Sequence, residues 1–283
     1  MEIEHIFEGQ VFLGEALDLT PARIITRGGI VTAVEELKQA PPRWICPCFF
    51  NAHTHVGDTV ALDTLVTGSL EELVTPPDGL KHRILASSPR DTLRQAMRAA
   101  LTTMIRSGTG GSADFREGGP AGVTLLREAA DGLSWVPVIF GREGGEMIAE
   151  GLGISSVRDI AGTESLVEEA RKKGKRIAFH AGERDSEDVE EALALQPDLL
   201  VHMTHATDSQ LRRCADERIP IAVCPRSNWT LGMTGSSSRP PLRRMVVRGC
   251  SILLGTDNVM FVQPDLFREM SFVSTVYHLP SPL

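Results

Sequence analysis

At 283 residues, with 42% hydrophobic and 23% charged residues, the chain has the make-up of an ordinary soluble globular protein, which excludes a disordered or fibrous class. It is longer than the usual domain of about 100–200 residues, yet α/β barrels commonly reach about 250 as one unit. A formal net charge of -8 disfavours a nucleic-acid backbone or an anionic membrane surface as partner, because both call for a positive patch; a small-molecule substrate is the simpler expectation.

The N-terminus, MEIEHIFEGQ, is acidic and lacks the basic start and apolar core of a signal peptide. No apolar run is long enough to cross a bilayer, so a cytoplasmic location is expected. Residues 1–45 contain short β-prone pieces, HIFEGQVFL and ARIITRGGIVTAV. The GG pair marks a hairpin turn and a proline pair precedes Trp44, which predicts a small N-terminal β-appendage. Cys46 and Cys48 fall on the opposite strand parity from His53 and read as buried strand residues. The odd total of five cysteines, without paired C-x-x-C knuckles, argues against a disulfide framework or a zinc ribbon.

Over 46–283, apolar strand-like runs alternate with helical patterns, as in a parallel sheet of βα units. The strand candidates are CFFNAH, GGSADF, WVPVIFG, a weak GLGISS, RIAFHAG, DLLVHMT, IPIAVCP and CSILLGT. Helical patterns fall in PRDTLRQAMRAALTTMIRSG, where Pro89 can sit in the first turn and Gly108 can stop the helix. Others are AGVTLLREAADG, TESLVEEARKKG, SEDVEEALAL and SQLRRCADER. Eight strands, each followed by a helix or loop, predict an α/β fold of the (β/α)8, TIM-type barrel class. Residues 58–88 are too long for a plain connection and read as a lid or binding loop, whereas SSS at 236–238 reads as a short loop.

In FFNAHTHVGDT two histidines close an apolar run. Strand side chains alternate faces, so His53 and His55 point the same way. His180 ends the fifth predicted strand, His202 the sixth and Asp257 the eighth. Singly, His180 also reads as a satisfied core histidine and Asp257 as a cap or turn residue. Neither reading explains why all these groups fall at strand ends on one rim, where barrel enzymes collect their chemistry. Three imidazoles and a carboxylate suit one divalent ion, Zn²⁺ foremost, with Fe²⁺ or Mn²⁺ also compatible. Such an ion lowers the pKa of a bound water from about 15.7 to near 7.

Glu183, three residues beyond His180, is placed to take that water's proton and pass it to a leaving amine; its plainer reading is a first-turn helix carboxylate. His202 can polarise the substrate or steady the attacking hydroxide. His205 has the opposite parity and ranks second. Arg116, Glu117, Arg142 and Arg226 follow the second, third and seventh strands. They are substrate-contact candidates, suited among the arginines to a carboxylate or phosphate, with surface ion pairs as the alternative. Asn228 reads as ordering its loop. His5, His82 and His278 have no comparable placement.

NAHTH, FHAGE, LLVHMTH, CPRSN and LGTDN, in that order, resemble the amidohydrolase superfamily, and most closely its branch of cytosine deaminase, adenosylhomocysteine deaminase and triazine chlorohydrolase relatives. The resemblance spans residues 49–258. It implies a mononuclear site with His53, His55, His180 and Asp257 as ligands, Glu183 as proton shuttle, and His202 as the sixth-strand histidine, with Asp257 sharing proton handling. Binuclear relatives often use a modified lysine on a middle strand. WVPVIFGRE has none, and Lys172, Lys173 and Lys175 fall at a helix end, so one metal is expected.

The family usually adds a C-terminal segment that completes a β-sandwich with the N-terminal strands. Here the chain stops at YHLPSPL, after room for one helix, FREMSFVSTV. The expectation is a reduced sandwich, an edge supplied by another chain as in a homo-oligomer, or a shortened product. The activity implied is hydrolysis of a carbon–nitrogen bond other than a peptide bond, with deamination of a heterocyclic or amidine small molecule first. Dechlorination or cyclic-amide opening would use nearly the same site. A non-catalytic metal-binding or assembly protein would keep the rim but could lose the shuttle. The H-x-E and P-C-x-x-C pattern of cytidine-deaminase zinc sites is absent.

Overall fold

A computed structural model describes residues 3–62, 64, 67–232 and 240–277. The chain divides into two units, Met1–Cys48 and Phe49–Leu283. In the first, β1 (Glu4–Leu13) pairs antiparallel with β2 (Asp18–Arg27), which pairs antiparallel with β3 (Ile30–Glu36). The short β4 (Trp44–Ile45) lies parallel to β1, giving the order β3-β2-β1-β4. Gly28 and Gly29 form the two-residue turn between β2 and β3 with φ of 57° and 80°, the left-handed pair that a tight hairpin demands and that side chains resist. Cys46 and Cys48 correct their buried-strand reading: both are exposed and lie between strands, since the intervening Pro47 has no N–H to give a ladder.

The second unit is built on β5 (Phe49–His55), β6 (Thr109–Arg116), β7 (Val136–Gly141), β8 (Gly151–Ile154), β9 (Arg176–Ala181), β10 (Leu199–His202), β11 (Ile221–Val223), β12 (Ile252–Leu254) and β13 (Asp257–Asn258). Paired neighbours run parallel, in the order β12-β11-β10-β9-β8-β7-β6-β5-β13. The eighth predicted strand is thus broken in two: β12 pairs with β11, and β13 with β5 through Asp257↔Thr54 and Asn258↔His55. At the break, Gly255 N–H donates to the Val223 carbonyl and Thr256 N–H to that of His53, so the two ends of the sheet meet and the barrel closes. A Cβ at Gly255 would lie 2.7 Å from that of His53, which is why this seam needs glycine.

Residues 58–88 contain the end of a 3-10 turn (Val56–Ala61) and two short helices, α1 (Leu70–Val74) and α2 (Leu80–Ser87). Ser69 and Glu72 cap α1 reciprocally. Residues 63, 65 and 66 of the expected lid, SSS at 236–238 and His278 lie outside the described residues. The crossover helices are α3 (Arg90–Arg106), α4 (Gly119–Ala130), α5 (Thr163–Lys172), α6 (Ser186–Ala194), α7 (Asp208–Asp216) and the pair α8 (Pro225–Thr230) and α9 (Leu242–Arg248); α10 (Leu266–Tyr277) follows β13.

In α3, Met97, Ala100, Leu101 and Met104 recur at helical spacing and are buried in one cluster with Val123 and Leu126 of α4 and Ile139 of β7. Burying Leu101 or Met104 stabilises by about 1.5–3 kcal/mol each, so Leu101→Asp would break this contact. Pro89 stands just before the helix rather than in its first turn, and Gly108, with φ of 82°, follows its end. Another apolar cluster combines Ala52, Ala113, Ala178 and Ala222 with Phe115 and Phe140. Among the described residues no helix is long and apolar enough to cross a membrane.

Candidate active site

His53 and His55 leave β5 on one face, His180 comes from β9, and Asp257 begins β13, so barrel closure gathers them at the strand ends. His53 Nε2 lies 3.2 Å from Asp257 Oδ1; His55 Nε2 lies 3.3 Å from His180 Nε2 and 3.6 Å from Asp257 Oδ1. Ligand atoms arranged tetrahedrally around a cation at about 2.0–2.1 Å stand about 3.4 Å apart, and these separations fit that set. The groups His53–His55–Asp257 and His53–His180–His202 each have ligand atoms within 4.8 Å of one another.

Proton placement makes the same point. His55 Nδ1 lies 3.0 Å from Glu117 Oε1, and His180 Nδ1 lies 3.0 Å from the Ile154 carbonyl. Both partners are acceptors, so each Nδ1 carries the hydrogen and each Nε2 turns a lone pair toward the other. Facing lone pairs at 3.3 Å repel unless a cation lies between them. Burial pushes His53 down to about 4, and burial followed by the Lys81 charge pushes His55 down to about 3, which keeps both imidazoles neutral as ligands must be. Among the described residues His53 Nδ1 is buried without a partner, so its polar contact is made on the Nε2 side.

Around these groups stands a layer of orienting contacts. Glu117 Oε1 accepts from His55 and lies 2.9 Å from Lys81 Nζ, while its Oε2 accepts from Arg116 at 2.6 Å. Lys81, on α2, also lies 2.9 Å from Asp58. Ser227 donates to Asp257 Oδ2 at 2.6 Å. A carboxylate behind a ligating histidine and a hydroxyl on a ligating carboxylate fix ligand orientation. Neither Lys81 nor Ser227 was singled out by sequence reasoning. Ser227 does lie inside the CPRSN motif, but nothing in the spacing of Lys81 signals its contact.

Glu183 follows β9 and faces His202, with Oε1 3.5 Å from His202 Nε2. Asn228 Nδ2 lies 3.3 Å from His202 Nδ1; an amide nitrogen only donates, so His202 accepts there and carries its hydrogen on Nε2, toward Glu183. Asn228 thus orients a histidine rather than only its own loop. His202, Met203 and Asp257 have φ of 72°, 57° and 62°, left-handed values that cost about 1–3 kcal/mol each and cluster at functional sites. His55, Glu183, His202 and Asp257 line one partly enclosed cavity, with Leu70, Val74 and Pro76 of residues 58–88 forming part of its wall.

A sequence profile for the amidohydrolase family matches residues 44–281. The chain belongs to the amidohydrolase family. It is 36% identical over 299 residues to a protein of Methanothermobacter thermautotrophicus named provisionally as an aminohydrolase, an alignment covering 92% of this chain and 77% of that one. Among solved structures, an atrazine chlorohydrolase from Arthrobacter aurescens complexed with zinc has a TM-score of 0.71 at 16% identity, covering 98% of this chain and 77% of its own. An adenosine deaminase from Xanthomonas campestris with bound zinc has a TM-score of 0.66 at 15% identity, covering 96% and 74%. At such identities the likeness shows the fold.

The remaining candidates of this amidohydrolase separate by position. Arg142 lines the cavity. Arg116 and Glu117 do not; they are buried, and Arg116 pairs with both Glu117 and Asp114. Arg226 also lies away from it, bound to Glu269 and to the Gln263 and Asp265 carbonyls, which joins α8 to α10. Each of these three guanidinium or carboxylate groups is held by protein partners, and Arg116 and Glu117 line a neighbouring cavity with Pro76, Pro77 and His82 rather than the one that gathers the ligand atoms. His205 is half-buried and lines a separate shallow depression with Ser69, Glu71 and Glu183. Strand parity does not govern it, because the chain leaves β10 at His202.

Proposed function

We propose that this amidohydrolase hydrolytically deaminates a small heterocycle or cyclic amidine, with zinc as its ion. The reading is carried by one observation: Glu183 and His202, 3.5 Å apart, face the same cavity as the converging ligand atoms of His55, His180 and Asp257. Zinc in the two solved neighbours supports the choice of ion. A divalent cation held by His53, His55, His180 and Asp257 would supply Lewis acidity, which brings a water's pKa from about 15.7 toward 7.

The chain's own groups then handle the protons. Glu183 accepts the proton of the attacking water while the His202 Nε2–H donates toward the substrate. As the C–O bond forms, Glu183 gives a proton to the exocyclic nitrogen; the C–N bond breaks with its electrons on nitrogen, and ammonia leaves. Burial raises the Glu183 carboxyl above its ordinary value, which favours its holding a proton between the two transfers. Residues 67–88, whose Leu70, Val74 and Pro76 wall the cavity, act as the lid over this chemistry.

Ammonia release from pterins, purines, pyrimidines and other cyclic amidines, assayed with zinc-loaded protein, is the test. Glu183→Gln is expected to keep its zinc and lose about 10²- to 10⁴-fold in turnover. Wild-type turnover in that variant would sink the shuttle assignment.

A further inference from the structure

We infer that Arg142 selects substrates bearing a carboxylate directly on the ring that is deaminated, an inference that rests on the deaminase reading above. Arg142 follows the end of β7, is only 8% exposed, and lines the cavity together with His180, Glu183 and Asp257. Its donors are largely unspent. Nε is buried with no partner among the described residues. Nη2 lies 3.3 Å from His180 Nδ1, but that nitrogen already points its hydrogen at the Ile154 carbonyl, so the contact sets donor against donor. Nη1 stands 3.6 Å from Glu117 Oε1, an oxygen already shared by His55 and Lys81.

The other cations lining this cavity have close acceptors. Lys81 lies 2.9 Å from both Asp58 and Glu117, and Arg184 donates to Asp159 at 2.8 Å. Arg142 is thus the cation lining this cavity that, among the described residues, lacks a close acceptor, its nearest carboxylate oxygen being 3.6 Å away. Leaving a buried donor unsatisfied costs about 1–3 kcal/mol, and more when it is charged. A bound ligand that supplies the acceptor would remove that cost.

A guanidinium has the planar fork that meets a carboxylate through two parallel hydrogen bonds, which a lysine cannot reproduce. Position limits where that carboxylate sits on the substrate. Nη2 touches Nδ1 of the same imidazole whose Nε2 faces His55, so the recognised group lies about one imidazole width from the ligand atoms. A carboxylate on a long tail would be anchored farther away, whereas one attached to the reacting ring is within reach. Leu70, Val74, Pro76 and Leu231 supply apolar lining for the ring itself.

The test is calorimetric titration of zinc-loaded protein with two matched pairs, uracil with orotate and pterin with pterin-6-carboxylate. In the wild type at least one acid is expected to bind tenfold or more tightly than its neutral partner. Arg142→Met should reduce that preference to under threefold, Arg142→Lys should retain part of it, and both variants should keep their zinc. No acid preference in either pair, or a preference that persists in Arg142→Met, overturns the inference. Loss of zinc from Arg142→Met also overturns it, reassigning the residue to the support of His180. Binding is read without turnover, so an acid preference with no ammonia release from any substrate defeats the deaminase reading alone. Ammonia release from neutral rings with no acid preference defeats the Arg142 assignment alone.

Discussion

Replacing Glu117 by glutamine distinguishes a substrate contact from a prop behind His55. The carboxylate is 7% exposed and receives His55 Nδ1–H at 3.0 Å, Lys81 at 2.9 Å and Arg116 at 2.6 Å. Glutamine keeps the shape but turns one acceptor oxygen into a donor, so at least one of these three partners loses its acceptor. Groups behind metal-bound histidines are worth about 10- to 100-fold in metal affinity, or about 1.4–2.8 kcal/mol. Zinc affinity, measured by competition with a chelator, should fall by that factor.

Removing one member of a buried ion pair costs about 3–5 kcal/mol. Here Lys81 keeps Asp58 at 2.9 Å and Arg116 keeps Asp114 at 3.4 Å, so the lower end, about 3 kcal/mol, is expected. At about 2–4 °C per kcal/mol, the metal-free melting midpoint should drop by about 6–12 °C. A folded Glu117→Gln protein that binds zinc as tightly as the wild type would refute the prop assignment. If that protein bound substrate poorly, Glu117 would return to the substrate side.

Two further outcomes follow from the same contacts. Asn228→Ala removes the donor that sets the His202 tautomer; turnover should fall about 10- to 100-fold with zinc content unchanged, and Asn228→Asp, which invites the opposite tautomer, should fall further. Unchanged kcat in both variants rules out that role. In the metal-free protein, burial holds His53 at about 4 and His55 at about 3, below their ordinary 6.5. The unfolded chain therefore takes up protons that the folded one refuses, so stability should decline as pH falls from about 6.5 toward 4. Melting midpoints across that range, compared with His55→Asn, check the sign; a flat wild-type profile contradicts it.

Alternation of apolar runs and helical patterns was sufficient for the barrel, because strand and helix periods are properties of the local chain. Parity along β5 placed His53 and His55 on one face, and strand-end position brought His180, His202 and Asp257 to the same rim. The short GLGISS, weak as a pattern, still forms β8, since it pairs with β7 on one side and β9 on the other. The eighth strand escaped in detail: its break at Gly255 and Thr256 exists only because the sheet must close on β5.

What the sequence by itself determined was which residues reach the barrel mouth, for that depends on counting along each strand. Only the tertiary structure decided what each then touches. His53 and Asp257 are 204 residues apart in the chain, and Lys81 reaches Glu117 from a connecting segment rather than from a strand. Arg116, Arg142 and Arg226 look alike as arginines after strand ends, yet two are held by buried carboxylates at close range and the third stands 3.6 Å from its nearest one. Local periodicity sets direction, but a charge's partner is chosen by whichever opposite group the closed barrel brings within hydrogen-bonding distance.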